Sequence, residues 1–238
     1  MNLTIAWITA RALLGRKRVL LLLPFPVLVV GLTLIAHALR PDAADQWGPV
    51  IVDGLGLGVL LPVTALIVGT AVLGAEIEDG TILHILAKPL PRREIVLAKL
   101  VVSAGIIGTV AAVPMFVAGT VAQSARFGLA LAVACFVAAL AYAALFLALS
   151  LLTRRPVLIG LAYVLLWEGL LGNLLASTRE LSSHQYAVTL ASRIAQTQLL
   201  HNHVGLPVAI VMSAVFLVGG TVLAVNRLSS FAVTGETS

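Results

Sequence analysis

Few side chains in this sequence are placed to do chemistry, and Glu168 stands apart because it lies inside the apolar run 157–176. Counted from Val157 it lies roughly 11 residues, or about 17 Å, along a helix, near the middle of a bilayer. A carboxylate in hydrocarbon costs several kcal/mol unless it is paired, protonated or hydrated, so it is read as functional: a substrate contact, a helix pairing or a proton relay. Trp167 and Asn173 are close enough in sequence to line a cavity with it. The remaining candidates carry less. His201-x-His203 has half the spacing of a metal site, but residues two apart face different sides of a helix and no nearby carboxylate completes the set, so no metal is expected. Gly54-x-Gly56-x-Gly58 has the look of a nucleotide loop without the preceding strand or the following Lys-Ser/Thr, and its natural use is close helix packing. Cys135 is the single cysteine and sits in an apolar run, which excludes an intrachain disulfide and fits a small packing residue. No Gly-x4-Gly-Lys-Ser/Thr occurs, so the chain is not expected to hydrolyse ATP. An intramembrane enzyme needs at least two convergent catalytic groups, and beyond Glu168 the spans offer only hydroxyls, Asn173 and edge residues such as His37 and Asp53; no catalytic residue is assigned.

The elements that must position these residues follow from composition. Of 238 residues, 60% are hydrophobic and 11% charged, against about a quarter charged in soluble domains. The solvent for such a surface is lipid. Six apolar segments reach the roughly 20 residues needed to cross the hydrocarbon, at about 19–39, 50–75, 95–122, 127–152, 157–176 and 204–225. The runs are continuous and lack period-two alternation, so the fold class is all-α, a polytopic single transmembrane domain over 1–238, and not a barrel. The net charge of +5 reflects basic residues clustered between spans. With few scattered aromatics, no nucleic-acid partner is expected. An N-terminus and C-terminus on the cytoplasmic side place eleven Lys and Arg inside and four (Arg40, Arg126, Arg179, Arg193) outside, in agreement with the positive-inside rule.

Three segments are neither span nor plain loop. Residues 3–18 put Leu3, Trp7, Ala10 and Leu14 at helical spacing ahead of Arg16-Lys17-Arg18, as an interfacial amphipathic helix does. The outer segment 177–203 is too polar to span, yet Tyr186, Val188, Leu190, Ile194, Leu199 and Leu200 make it too apolar for a free loop, so it is expected to form a re-entrant or surface helix. Segment 76–94, on the inner side, has a turn at Asp79-Gly80-Thr81 and an apolar face of Ile82, Ile85 and Leu86. His84 and Lys88 are polar, and Pro89 and Pro91 stop the helix. An apolar stripe in water needs a partner.

The order Glu76, Gly80-Thr81, Ile82, Ile85-Leu86, Lys88-Pro89, Arg92-Arg93 and Lys99 resembles the cytoplasmic loop of the type-2 ATP-binding-cassette exporter permeases. The layout resembles that family over nearly the whole chain: spans, interfacial helix and outer re-entrant segment. The resemblance implies that this loop is a coupling helix. Gly80, Thr81, Ile82, Ile85, Leu86 and Pro89 would dock into an ATPase subunit, with Glu76 at the start and Arg92 and Arg93 at the following turn. It further implies a soluble ATPase partner in two copies that holds the ATP and Mg, no cofactor on this chain, a second permease copy (identical or different), and a bacterial inner membrane. A proton-coupled secondary transporter using Glu168 is the rival reading, and it leaves the Gly80-Thr81 loop unexplained. Substrate identity is not legible. An apolar pathway suits lipids, lipopeptides or hydrophobic drugs, and ATP-driven mechanical work on a membrane partner fits equally.

Overall fold

The computed structural model describes residues 3–14, 22–78, 91–171, 182–197, 199–200 and 204–234. Among them every regular element is helical. The helices are α1 (Leu3–Leu14), α2 (Pro24–Leu39), α3 (Ala44–Pro49), α4 (Leu61–Glu78), α5 (Arg92–Ala122), α6 (Ala125–Leu152), α7 (Pro156–Ala162), α8 (Ser183–Ala195) and α9 (Leu206–Thr234). Two π-helical stretches are inserted: Val50–Leu60 joins α3 to α4, and Tyr163–Leu171 continues α7.

Among the described residues four helical runs are long and apolar enough to cross a membrane: Pro41–Gly74, Arg92–Ala122, Ala125–Leu152 and Leu206–Ser230. Two shorter apolar helices, Pro24–Leu39 and Pro156–Gly169, occupy the first and fifth expected span positions. The second run starts well before residue 50, because Pro41–Ala43 and α3 add helix ahead of the apolar stretch. The last helix continues beyond residue 225, since nothing in Asn226–Ser230 breaks it.

Helix α6 is the hub. Its buried positions are dominated by alanine, including Ala130, Ala134, Ala139, Ala143 and Ala144. Without a strong hydrophobic drive between helices in lipid, close backbone approach through small residues supplies the packing. It packs against α5, α9, α4 and α8. Against α9, a Cβ added to Gly220 would lie 2.9 Å from the Ala144 backbone, so only glycine fits that crossing. The turn from α5 to α6 is closed by Ser124, whose hydroxyl accepts the Phe127 N–H at 3.2 Å as an N-cap. On the other side of the bundle Lys99 is fully buried, and its ammonium donates to the Val72 carbonyl at 3.2 Å, tying α5 to α4. Lys99 stands near the inner start of α5, and its flexible stem carries the charge across to the neighbouring helix.

The outward faces are apolar. Val208, Ile210, Val211, Val215 and Val218 on α9 are exposed, as are Val27, Leu28, Leu34 and Ile35 on α2. Such patches would drive association in water and are ordinary solvation in lipid. Helix α1 lies against α5 and α4. Thr9 and Leu13 form its buried side while Trp7 is 68% exposed, so the packed face is rotated from the Leu3-Trp7-Ala10-Leu14 stripe. The indole on the free side suits an interfacial anchor.

Candidate functional site

Two regions carry the candidate residues. At the expected coupling element, α4 ends at Glu78 and α5 begins at Arg92 behind the extended Pro91. Glu76 lies in the last turn of α4. Arg92 is half-buried, Arg93 is exposed, and Glu94 places a negative charge in the first turn of α5, where the helix dipole favours it. Gly80, Thr81, Ile82, Ile85, Leu86 and Pro89 lie outside the described residues, as do Asn173 and His201-x-His203.

The second region is a polar cluster around Glu168, assembled from four elements. Tyr142 of α6, fully buried, donates its hydroxyl to Glu168 Oε2. Tyr163 donates to Oε1 at 3.3 Å. Both carboxylate oxygens are therefore engaged, which offsets the cost of taking the acid out of water. Phe146, one turn along α6, stacks on Tyr142 at 6.0 Å and meets Tyr163 edge-on at 6.3 Å, so the rings fix where the two hydroxyls point. Trp167, the residue before Glu168, is half-buried.

The pairing of Tyr163 with Glu168 depends on the π-helical stretch. Residues five apart on an α-helix are turned about 140° from each other. A π-helix closes i→i+5 hydrogen bonds and brings such residues towards one face. The other π stretch holds the cluster's second acid. Asp53 Oδ1 lies 2.8 Å from Nε2 of His184, in the first turn of α8. Gly58, five residues after Asp53, faces the same imidazole, and a Cβ there would come to 3.8 Å from Nε2. Gly56 makes the closer contact: a Cβ would lie 2.1 Å from Met115 Sδ of α5. Two of the three glycines in Gly54-x-Gly56-x-Gly58 thus admit a neighbour, while Gly54 faces open space.

The Glu168 carboxylate lies near the first turn of α8, where its charge acts on His184. Burial pushes the His184 imidazole down. The hydrogen bond and charge of Asp53, with the charge of Glu168, outweigh it and hold the group above its ordinary value. Among the described residues no three His, Cys, Asp or Glu side chains are gathered to hold a metal. The Ser183 hydroxyl makes no hydrogen bond to the imidazole, so the Ser183-His184-Asp53 set is not aligned as a nucleophile, base and orienting acid. The chemistry of the cluster is mutual satisfaction of buried polar groups.

Sequence reasoning found Glu168 and missed its partners. Tyr142 and His184 join it or Asp53 from 26 and 131 residues away, and the i,i+5 pairing is invisible to a search at helical period 3.6. The only local signal was the coincidence of a second acid, Asp53, near the end of another span.

None of the curated proteins matches the chain. The family model described as ABC-2 family transporter protein matches residues 36–227, which take in the end of α2, both π stretches, the segment between α4 and α5, and most of α9. The chain belongs to the ABC-2 transporter family, as a membrane permease component of an ABC transporter.

Proposed function

We propose that this protein is the pathway-forming subunit of an ATP-driven exporter, working as a pair of permeases with two copies of a separate soluble ATPase. The chain crosses a bacterial inner membrane six times with both ends inside. The coupling element is the segment between α4 and α5. There Gly80, Thr81, Ile82, Ile85, Leu86 and Pro89 form the docking surface, flanked by Glu76, Arg92 and Arg93. ATP and Mg belong to the partner. The observation that carries this reading is the residue order from Glu76 to Lys99, which lies inside the family-matched region and joins two long apolar helices. Apolar contacts stiffen such a joint, and flanking charges set its orientation.

Within that reading Glu168 pairs helices. With both oxygens held by tyrosine hydroxyls, it fastens the π stretch Tyr163–Leu171 to α6. The test of the coupling role is a pulldown of the tagged permease in mild detergent, native against the double variant Ile85→Asp with Leu86→Asp. An ATPase recovered with the native chain and lost with the variant supports the proposal. If no ATPase is recovered in several detergents, the coupling role is wrong.

A further inference from the structure

Helix α8 is too short to span, yet its Ala187, Val188, Thr189 and Ala191 are almost fully buried. Its own sequence does little to complete its N-terminal end. The first turn holds no acid, and the preceding Ser182 makes no side-chain cap bond. The unpaired N–H groups and positive end of the helix dipole must then find negative charge elsewhere.

Neighbouring helices supply it. Asp53, from the run Pro41–Gly74, reaches His184 in the first turn. Glu168, from the π stretch Tyr163–Leu171, lies near that same turn. At the opposite end Arg126, from the start of α6, donates its Nε to the Ile194 carbonyl at 3.2 Å, one of the last four carbonyls of α8. Asp53 therefore holds a first-turn side chain of this helix, Glu168 lies near the same turn, and one guanidinium meets a carbonyl of the last turn, each from a different membrane helix.

We propose that α8 is an electrostatically seated cap, held over the bundle by Asp53 and Glu168 at one end and Arg126 at the other. Relative movement of the three helices that own these charges unseats it. Asp53, His184 and Arg126 are positioning residues for the cap. Unseating uncovers the apolar face between α6 and α9, where Ala138, Ala141 and Ala209 line a small cavity together with Ala187. This seating is independent of the exporter reading, because it is read without substrate or ATPase.

The test is thiol labelling of the purified full chain in lipid nanodiscs, with Cys135→Ala as background. A single cysteine is placed at Ala187, which faces α6 under the cap. A matched control places it at Ala111 on α5, fully buried and away from α8. The probe is a water-soluble maleimide, reactive only when α8 lifts. Asp53→Ala and Arg126→Gln should each raise the rate at Ala187→Cys at least about five-fold, the behaviour of local opening that loses terminal charge pairing. The rate at Ala111→Cys should stay unchanged. Exchange of the pair, Asp53→His with His184→Asp, should return the Ala187→Cys rate to within about two-fold of the parent. Unchanged labelling at Ala187→Cys, or an equal rise at both cysteines, overturns the cap. Failure of the exchange to rescue removes the Asp53–His184 pair from the seat. None of these outcomes bears on ATPase docking.

Discussion

Tyr142 and Glu168 illustrate how one buried hydrogen bond is weighed in lipid. The unfolded reference in a membrane also finds polar partners, so interhelical bonds there are worth about 0.6–2 kcal/mol. Tyr142→Phe keeps the ring stacked on Phe146 and deletes only the hydroxyl that reaches Oε2. We expect a loss of about 1 kcal/mol, read as a lowered midpoint in detergent unfolding. Glu168→Leu should cost more than Glu168→Gln, since leucine strands both tyrosine hydroxyls while glutamine still accepts one. His184 responds to pH with a defined sign. Its value in the folded chain is raised, so its contribution is complete below its ordinary value of about 6.5 and declines as pH rises through the raised one. Asp53 and Glu168 are the charged groups facing it, with the Tyr142 and Tyr163 hydroxyls behind Glu168. Thermal stability in nanodiscs should fall on the alkaline side of that value, and His184→Gln should flatten the profile. The neutral imidazole keeps a hydrogen bond in one tautomer, so the decline is partial.

At the scale of elements, the spans were legible and their irregularities were not. Continuous apolar runs mark α5, α6 and the start of α9 to within a few residues, because a bilayer imposes a length on whatever crosses it. The carboxylate at 168 was legible for the same reason, as a charge where none is cheap. The partners of Glu168 were hidden because two stretches depart from α-helical winding, and winding is a property of packing more than of local composition. Met115 shows how: it occupies the space beside Gly56, so the backbone of the π stretch comes close to α5. Gly56→Leu should push these apart and lower stability by about 1–3 kcal/mol, the usual cost of overpacking. The same change at Gly54, which faces open space, should be nearly neutral. Parallel unfolding curves of the two variants check this. Which side of α1 packs on the bundle was hidden for a related reason. Both candidate faces have helical spacing, and only contact with α5 and α4 selects the one bearing Thr9 and Leu13.

Across the whole molecule, α6 is largely covered by its neighbours and keeps one exposed apolar face at Leu129, Val133 and Phe136, while α2 and α9 show most of their apolar surface to the outside. The two halves of the proposed mechanism sit apart in the fold: Lys99 and Arg92 mark the side where α4 hands over to α5, and the Glu168 cluster marks the side where α8 lies. The two holds on α8 differ in their exposure to water. Arg126 is exposed at one end, whereas the imidazole at the other is largely covered. Dissolved ions screen the first and barely reach the second. Raising salt from about 0.05 to about 0.5 M shortens the Debye length from about 14 to about 4 Å, which should loosen the Ile194 end and leave the His184 end in place. A cysteine at Ser192 should then gain more labelling with salt than one at Ala187, which lies nearer the covered end. The helix would peel from one side like a flap, so its hinge is assigned by which of its two charges is wet.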